Sequence, residues 1–173
     1  LDRKLAVTYK GGSTPVPELQ GAACPDLVYP NYEDWGFAKV VLDAKSFATA
    51  RTQLAGVQDP MLRSMLWQSL SDGLSDRRLA LDDFIQAVLA NAPKEQDPAL
   101  LRQALGYVTV GRGYVRAFAP GSAYEKRIAE QVDAMLWDGL QASRGQRDRA
   151  LNWLDTWITN ASTPAGLRLA VMA

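Results

Sequence analysis

Histidine is absent from the 173-residue sequence, and this absence restricts the possible chemistry more than any other feature. Without imidazole, these residues have no histidine ligand for zinc and no histidine general base for a serine or cysteine nucleophile. They also lack the side chain that normally changes charge near neutral pH. Most hydrolase mechanisms are therefore excluded for this sequence taken alone.

Cysteine, net charge and long apolar runs are also scarce. The single cysteine, Cys24, cannot form a disulfide within the chain, and no basic residue adjoins it to activate the thiol. The 19 basic residues balance the 19 acidic ones, so no net field attracts nucleic acid or anionic lipid. No apolar run approaches the roughly 18 residues of a membrane span. The composition predicts a soluble, cytoplasmic protein with neither nucleic acid nor membrane as a partner.

Carboxylate pairs are the remaining candidates for a metal site. Asp72 with Asp76, and the adjacent Asp82 and Asp83, are the most clustered acids. Neither pair has the alternating ligands and the glycine of a calcium-binding loop, so a surface or capping role is favoured. The sequence therefore predicts no catalytic residue and no metal ligand in this chain.

Residues 1–43 have the composition of short β-strands separated by turn residues. Apolar and β-branched runs alternate with glycine and proline, as in strands joined by tight turns. We expect strands over 5–9, 14–16, 27–29 and 37–42. So short a set cannot close a sandwich alone, and we interpret it as the end of a β-domain.

Residues 44–173 change to a helical pattern. Asp59-Pro60 and Asp97-Pro98 each place an acceptor at a helix N-cap and proline at the first helical position. Helices are predicted over 45–54, 60–74, 78–91, 98–118, 122–142, 146–159 and 163–173. The fold class is therefore mainly α, preceded by a few strands.

The two Asp-Pro helix starts open similar phrases. Asp59-Pro60-Met61-Leu62-Arg63 and Asp97-Pro98-Ala99-Leu100-Leu101-Arg102 are separated by one predicted helix. This spacing favours antiparallel helix pairs stacked as a HEAT-like α-solenoid. The alternative, that Asp-Pro is simply a common way to begin a helix, remains open.

The fourth predicted helix contains a glycine-rich stretch. Residues 106–116 contain three glycines, and each glycine inside a helix costs about 1 kcal/mol relative to alanine. Close packing against a neighbouring helix or a kink explains glycine there. Arg112 and Arg116, one turn apart, are instead able to hold a carboxylate. Both interpretations stay open.

Two tryptophans in the sixth predicted helix also allow two interpretations, a packing surface or a contact with a partner. Trp153 and Trp157 are four residues apart and so share one face of the helix. Such a stripe is typical of a packing surface, although aromatic anchors are also common at interfaces. Trp67 and Trp137 are predicted to lie in the core.

Three phrases around the change from β to α resemble a known family. They are Thr14-Pro15-Val16-Pro17-Glu18-Leu19, Pro25-Asp26-Leu27-Val28-Tyr29-Pro30-Asn31 and Phe37-Ala38-Lys39-Val40-Val41-Leu42-Asp43. In order and spacing they resemble the segment of aminopeptidase N-like zinc metallopeptidases that joins the third, β-sandwich domain to the helical C-terminal domain. The following phrase, residues 59–67, resembles the second helix of that domain, which is similar to the C-terminal domain of endoplasmic reticulum aminopeptidases.

The resemblance implies a division of the chain and a role. Residues 1–43 correspond to the last strands of the β-sandwich domain, and residues 44–173 to the first part of the helical domain. The family's zinc-binding His-Glu-x-x-His and its Gly-x-Met-Glu-Asn loop have no counterpart here. The resemblance therefore implies zinc in the parent enzyme and none in this fragment.

The function implied by the resemblance is non-catalytic. In the family, the helical domain covers the catalytic domain and limits access by peptide length, so the implied partners are that domain, within one parent chain, and the peptide substrate. Arg112 and Arg116 are the predicted substrate-binding residues. Because no initiator Met is present, we expect the sequence to begin inside a longer gene product. The helical region is shorter than the full helical domain of the family, so we also expect that domain to be truncated. The alternative is a freestanding helical-repeat module that binds a protein partner.

Overall fold

The computed structural model describes the backbone of residues 3–170 and the side chains of residues 3–167. Within that range the regular structure is helical. The helices are α1 (Ala44–Gln53), α2 (Pro60–Ser75), α3 (Leu81–Asn91), α4 (Pro98–Phe118), α5 (Ala123–Ala142), α6 (Arg147–Asn160) and α7 (Pro164–Ala170). The predicted mainly α class is confirmed. The last helix was predicted to reach residue 173, and 171–173 lie outside the described residues.

Helix starts follow the capping signals in the sequence. The Asp59 carboxylate accepts a hydrogen bond from the Met61 backbone N–H at 2.9 Å, and Asp97 accepts one from Ala99 at 2.8 Å. These bonds satisfy backbone donors that the first turn of a helix leaves without a partner. The largest boundary difference is at α3, which was predicted from residue 78 and begins at Leu81.

Contacts between the helices form two rows. Alternate helices touch side by side, as in the pairs α1 with α3, α3 with α5, and α5 with α7. The second row consists of α2, α4 and α6, which also touch in sequence. From α2 to α6 each helix additionally contacts the next one, so the rows pack against each other. No helix in this described part of the chain is long and apolar enough to cross a bilayer.

Large aromatic side chains fill the space between the rows. Trp67, Trp153 and Trp157 are fully buried, which confirms packing as the role of all three indole rings. Trp137 is half-buried and lies with its ring centroid 5.2 Å from that of Trp157. Burial of each such ring removes a large apolar area from water and makes these residues principal contributors to stability.

The strands predicted over 5–9, 14–16, 27–29 and 37–42 are not confirmed. Residues 3–43 contain only short 3-10 turns, Pro17–Leu19 and Tyr32–Asp34, and no strand ladder. A strand is stable only when a second strand satisfies its backbone groups, and residues 3–170 supply no such partner. Strand-like composition therefore does not produce a sheet here.

Residues 27–42 instead lie against the helices. Leu27, Tyr29 and Leu42 pack on the hydrophobic core, and the Tyr29 hydroxyl donates to the Met65 carbonyl oxygen at 3.2 Å. Burial raises the pKa of this hydroxyl above its usual value, which keeps it a neutral donor. The proposed domain boundary at residue 43 coincides with the start of α1, but its status as a domain boundary stays a prediction.

Candidate functional site

The glycine-rich stretch lies in the C-terminal half of α4, which runs unbroken to Phe118. A Cβ at Gly111 would stand 3.0 Å from Cγ1 of Ile85, so this glycine allows α3 to approach closely. Cβ atoms at Gly106 and Gly113 would meet no atom within 4 Å. Close packing against α3 therefore explains Gly111. Gly106 and Gly113 lie on the surface, and no contact within the described residues requires glycine there.

Arg112 and Arg116 have different surroundings, although they are one turn apart. The Arg112 side chain is only 2% exposed, and Nη1 lies 3.9 Å from Oδ1 of Asp133 on α5. Arg116 is exposed. Burial is the main cause that lowers the pKa of Arg112, and repulsion from Arg116 adds to it, while Asp133 opposes both. The structure thus provides one internal and one accessible guanidinium.

Asp133 connects Arg112 to the start of α7. Its Oδ2 accepts hydrogen bonds from the backbone N–H groups of Ser162 at 3.3 Å and Thr163 at 2.9 Å. Nη2 of Arg112 donates to the Ser162 hydroxyl at 2.5 Å. Gly166 lies against the carboxylate, because a Cβ there would stand 2.9 Å from Cγ of Asp133. Arg112 therefore helps to position α7, and another carboxylate reaches its guanidinium only if α7 moves.

The carboxylates considered for a metal site are engaged elsewhere. Asp76 binds Lys39 at 2.8 Å, Asp82 binds Arg127 at 3.2 Å, and Asp83 binds Arg51 at 2.9 Å. The described residues contain no group of three potential metal ligands.

Two side chains are possible nucleophiles. Cys24 is exposed, and the Ser46 hydroxyl donates a hydrogen bond to the Asp43 carboxylate at 2.6 Å as part of the N-cap of α1.

A groove of about 390 Å³ is lined by residues 39–42 together with residues of α1, α2 and α3. Its walls are mainly apolar, with Val40 and Leu79 among them, and the Lys39–Asp76 ion pair belongs to its lining. The volume falls in the range of about 300–1,000 Å³ that is usual for ligand sites. The paired charges of Lys39 and Asp76 do not favour a ligand of one sign.

A buried ionic junction that sequence reasoning missed joins the second row of helices. Glu95 is 1% exposed, and its two carboxylate oxygens accept from Nε and Nη2 of Arg63 at 2.8 and 3.0 Å. The same carboxylate accepts the backbone N–H groups of Gln96 and Asp97, just before α4. Arg149 on α6 donates to the Glu95 carbonyl oxygen, and burial lowers the pKa of its guanidinium. These contacts tie α2, α4 and α6 together.

Comparison with known proteins identifies the family of this chain. Residues 27–149 match the family described as the ERAP1-like C-terminal domain, and this match covers more than half of the sequence. The chain belongs to the ERAP1-like C-terminal domain family. The resemblance predicted from the phrases at residues 14–43 is confirmed.

One curated relative is Aminopeptidase N of Streptomyces lividans. It is 30% identical over 159 residues, which amount to 92% of this chain and 18% of that protein. The chain thus spans less than a fifth of the relative's length. No solved structure matches the chain significantly.

Proposed function

We propose that this chain is the non-catalytic C-terminal part of a zinc aminopeptidase that releases N-terminal amino acids from peptides. The observation that carries the proposal is the match of 92% of the chain to 18% of an aminopeptidase N. The chain would accordingly act beside a larger catalytic part of the same polypeptide, with a peptide as the shared substrate.

Zinc in this proposal belongs to the catalytic part. The chain has no histidine, and its described residues contain no cluster of three potential ligands, so they do not fit a catalytic zinc ion. What these residues supply is a shaped, rigid surface.

The arrangement of the helices supports a role as a cover. We propose that the two rows, α1, α3, α5, α7 and α2, α4, α6, begin a HEAT-like α-solenoid. In such an array each layer packs only on its neighbours, and the stacked helices create an extended concave surface. The Arg63–Glu95 junction stiffens the second row, because it fixes the link before α4 to both α2 and α6. A rigid concave cover over an active site restricts which peptides enter.

Arg112 and Arg116 remain the proposed residues for a peptide carboxylate. Arg116 is accessible in this structure and is the group that a ligand meets first. Arg112 lies one turn earlier, buried 3.9 Å from Asp133, so it would bind a peptide carboxylate only if α7 moved. A guanidinium suits a carboxylate because it donates two parallel hydrogen bonds.

The cover role is tested by peptide length in the complete polypeptide. We expect Arg116→Ala to lower kcat/KM at least about tenfold for peptides of eight to twelve residues, since one charged hydrogen-bonded contact contributes about 1.5–3 kcal/mol and an exposed guanidinium lies at the lower end of that range. Hydrolysis of a dipeptide should stay unchanged, because a short substrate does not reach this helix. The measurement is kcat/KM across a peptide length series.

Arg144→Ala is the matched control, since Arg144 is an exposed arginine in the turn after α5. It should leave the whole series unchanged. Equal effects of the two variants, or a loss for the dipeptide as large as for the long peptides, would contradict a carboxylate contact at Arg116. A complete polypeptide without peptidase activity would favour the helical-repeat interaction module instead.

A further inference from the structure

The groove of about 390 Å³ beside residues 39–42 offers apolar walls to a small molecule. Val40 and Leu70 are buried in its lining, and Phe47 and Leu79 are half-buried there. Walls of this kind hold a ligand by removing its apolar surface from water, while a few polar groups fix its orientation. The groove therefore suits a ligand with an apolar side chain, and its polar groups decide the class.

Most of the polar groups in the lining already have partners. Nζ of Lys39 lies 2.8 Å from Asp76, and Asp83 lies 2.9 Å from Arg51. The Ser69 hydroxyl shares a hydrogen bond with a tyrosine hydroxyl at 3.1 Å. Because each of these charges is balanced by its partner, neither pair attracts a ligand of one sign.

Two charged groups of the lining remain without an ion-pair partner among the described residues, Asp72 and Arg78. Asp72 is half-buried, and its Oδ1 accepts only from the neutral amide of Gln68, at 3.0 Å. The Arg78 side chain is exposed. The groove thus presents one negative and one positive group that are available to a ligand.

The end of α2 brings these two groups together. The Arg78 backbone N–H donates to the carbonyl oxygen of Gly73, the residue directly after Asp72, at 2.8 Å. Arg77 between them has a φ of 60°, the left-handed conformation that reverses the chain at the end of a helix. This reversal returns Arg78 to the last turn of α2, beside Asp72.

Lys39 is sensitive to both charges. Its hydrogen bond to Asp76 is the main cause that raises its pKa, the charge of Asp72 raises that pKa further, and the charge of Arg78 lowers it. Coulomb interactions of this kind weaken with distance. Asp72 and Arg78 therefore lie close to the same ammonium group on the groove wall.

We propose that this groove binds a small zwitterion with an apolar side chain, either a free apolar amino acid or a short apolar peptide. The ammonium group of the ligand donates to Asp72, its carboxylate accepts from Arg78, and its side chain packs against Val40 and Leu79. Arg78 repels a ligand that is only a cation, and Asp72 repels one that is only an anion. The inference goes beyond the proposed function, because such binding belongs to this chain and requires no catalytic part.

Titration calorimetry of the 173-residue chain tests the binding without the proposed catalytic part, which would itself hold such molecules. We expect leucine to bind saturably with a Kd of about 1 mM or lower. Glycine should bind at least about tenfold more weakly, because it buries no apolar side chain. Tighter binding of leucyl-leucine than of leucine would identify a short peptide as the ligand. Absence of saturable binding by both compounds would overturn the proposal.

Blocked forms of leucine test each charge of the ligand separately. N-acetyl-leucine lacks the ammonium group and leucinamide lacks the carboxylate, so each should bind at least about tenfold more weakly than leucine. Asp72→Asn should weaken leucine by a similar factor without weakening N-acetyl-leucine. Arg78→Gln should weaken leucine without weakening leucinamide. Equal affinities of the chain for leucine and its two blocked forms would overturn the proposal.

Matched control variants make the same chemical changes outside the groove. Asp138→Asn on α5 and Arg144→Gln in the turn after it replace exposed residues and should leave the affinity for leucine unchanged. All four variants should keep the parent thermal midpoint, which separates loss of a ligand contact from unfolding. Leucine should also shift the amide NMR signals of Gly73 and Leu79. Equal losses in the control variants, or signal shifts confined to another part of the chain, would contradict a site in this groove.

Discussion

Replacing Glu95 with glutamine is expected to lower the free energy of unfolding by about 3–5 kcal/mol, the cost of leaving a buried charge without its partner. The glutamine keeps the size of the side chain, but its NH₂ group must face an Arg63 donor or the backbone N–H groups that the carboxylate now accepts. Arg63 is only 9% exposed, so water poorly replaces the charged partner that Nε and Nη2 lose, although Nη1 keeps the carbonyl oxygens of Val57 and Gln58. Urea denaturation of the isolated chain measures the change.

Glu130→Gln on the exposed face of α5 is the matched control for Glu95→Gln, and it should change stability by less than about 0.5 kcal/mol. A second test is a double variant, Arg63→Met with Glu95→Gln. Because the two groups interact directly, the double variant should be less destabilised than the sum of the single variants. Additive losses, or similar losses at positions 95 and 130, would show that the buried pair does not stabilise the helix row.

Replacing Gly139 with alanine is expected to destabilise the chain by about 1–3 kcal/mol, the usual cost of overfilling a packed core. The added Cβ on α5 would stand 2.5 Å from Cε2 and 2.6 Å from Cε3 of Trp153 on α6. The ring cannot retreat easily, because Trp153 is fully buried. The gain in helix propensity from glycine to alanine, about 1 kcal/mol, offsets only part of this cost.

Gly113→Ala is the control that isolates the packing effect. Gly113 also lies inside a helix, but an added Cβ there meets no atom within 4 Å. This variant should therefore stabilise the chain by about 0.4–1 kcal/mol through helix propensity. The two alanine substitutions should thus shift the thermal midpoint in opposite directions. A shift of the same sign in both would contradict the close contact between α5 and Trp153.

Local signals in the sequence predicted the helices because their ends are determined by short-range chemistry. Asp43, Asp59, Asp97 and Ser122 each cap the helix that follows, and the caps are readable without knowledge of the fold. The predicted start of α3 was the least accurate, because Ala80 at its N-cap makes no side-chain capping hydrogen bond. Strand composition at residues 37–42 was misleading for the opposite reason, since a strand depends on a distant partner.

The buried Arg63–Glu95 pair could not be predicted from the sequence. It depends on the direction in which Arg63 leaves the helix, and a shift of one residue changes that direction. Arg63 follows Asp59 by four positions, whereas Arg102 follows Asp97 by five, since one phrase contains an extra leucine. One residue turns a side chain by about 100° around the helix. Arg63 is accordingly buried beside Glu95, and Arg102 is exposed, although it donates to Asn152 at 3.2 Å.

Arg112 illustrates a related limit for the candidate site. Its spacing from Arg116 correctly places both on one side of α4, but spacing does not reveal what packs over each turn. Asp133 and Ser162 contact the guanidinium of Arg112, and both residues are distant from Arg112 in the sequence. Contacts that join distant segments depend on the assembled fold, so the identity of a ligand for Arg116 stays a prediction.

The most direct test of the central claim compares aminoacyl-anilide hydrolysis by the purified 173-residue chain and by the complete polypeptide, each with and without added zinc. We expect zinc-dependent hydrolysis by the complete polypeptide and no turnover above background by the chain alone. Turnover by the isolated chain, or a complete polypeptide that is inactive with zinc, would contradict the view that these residues supply structure to a catalytic neighbour.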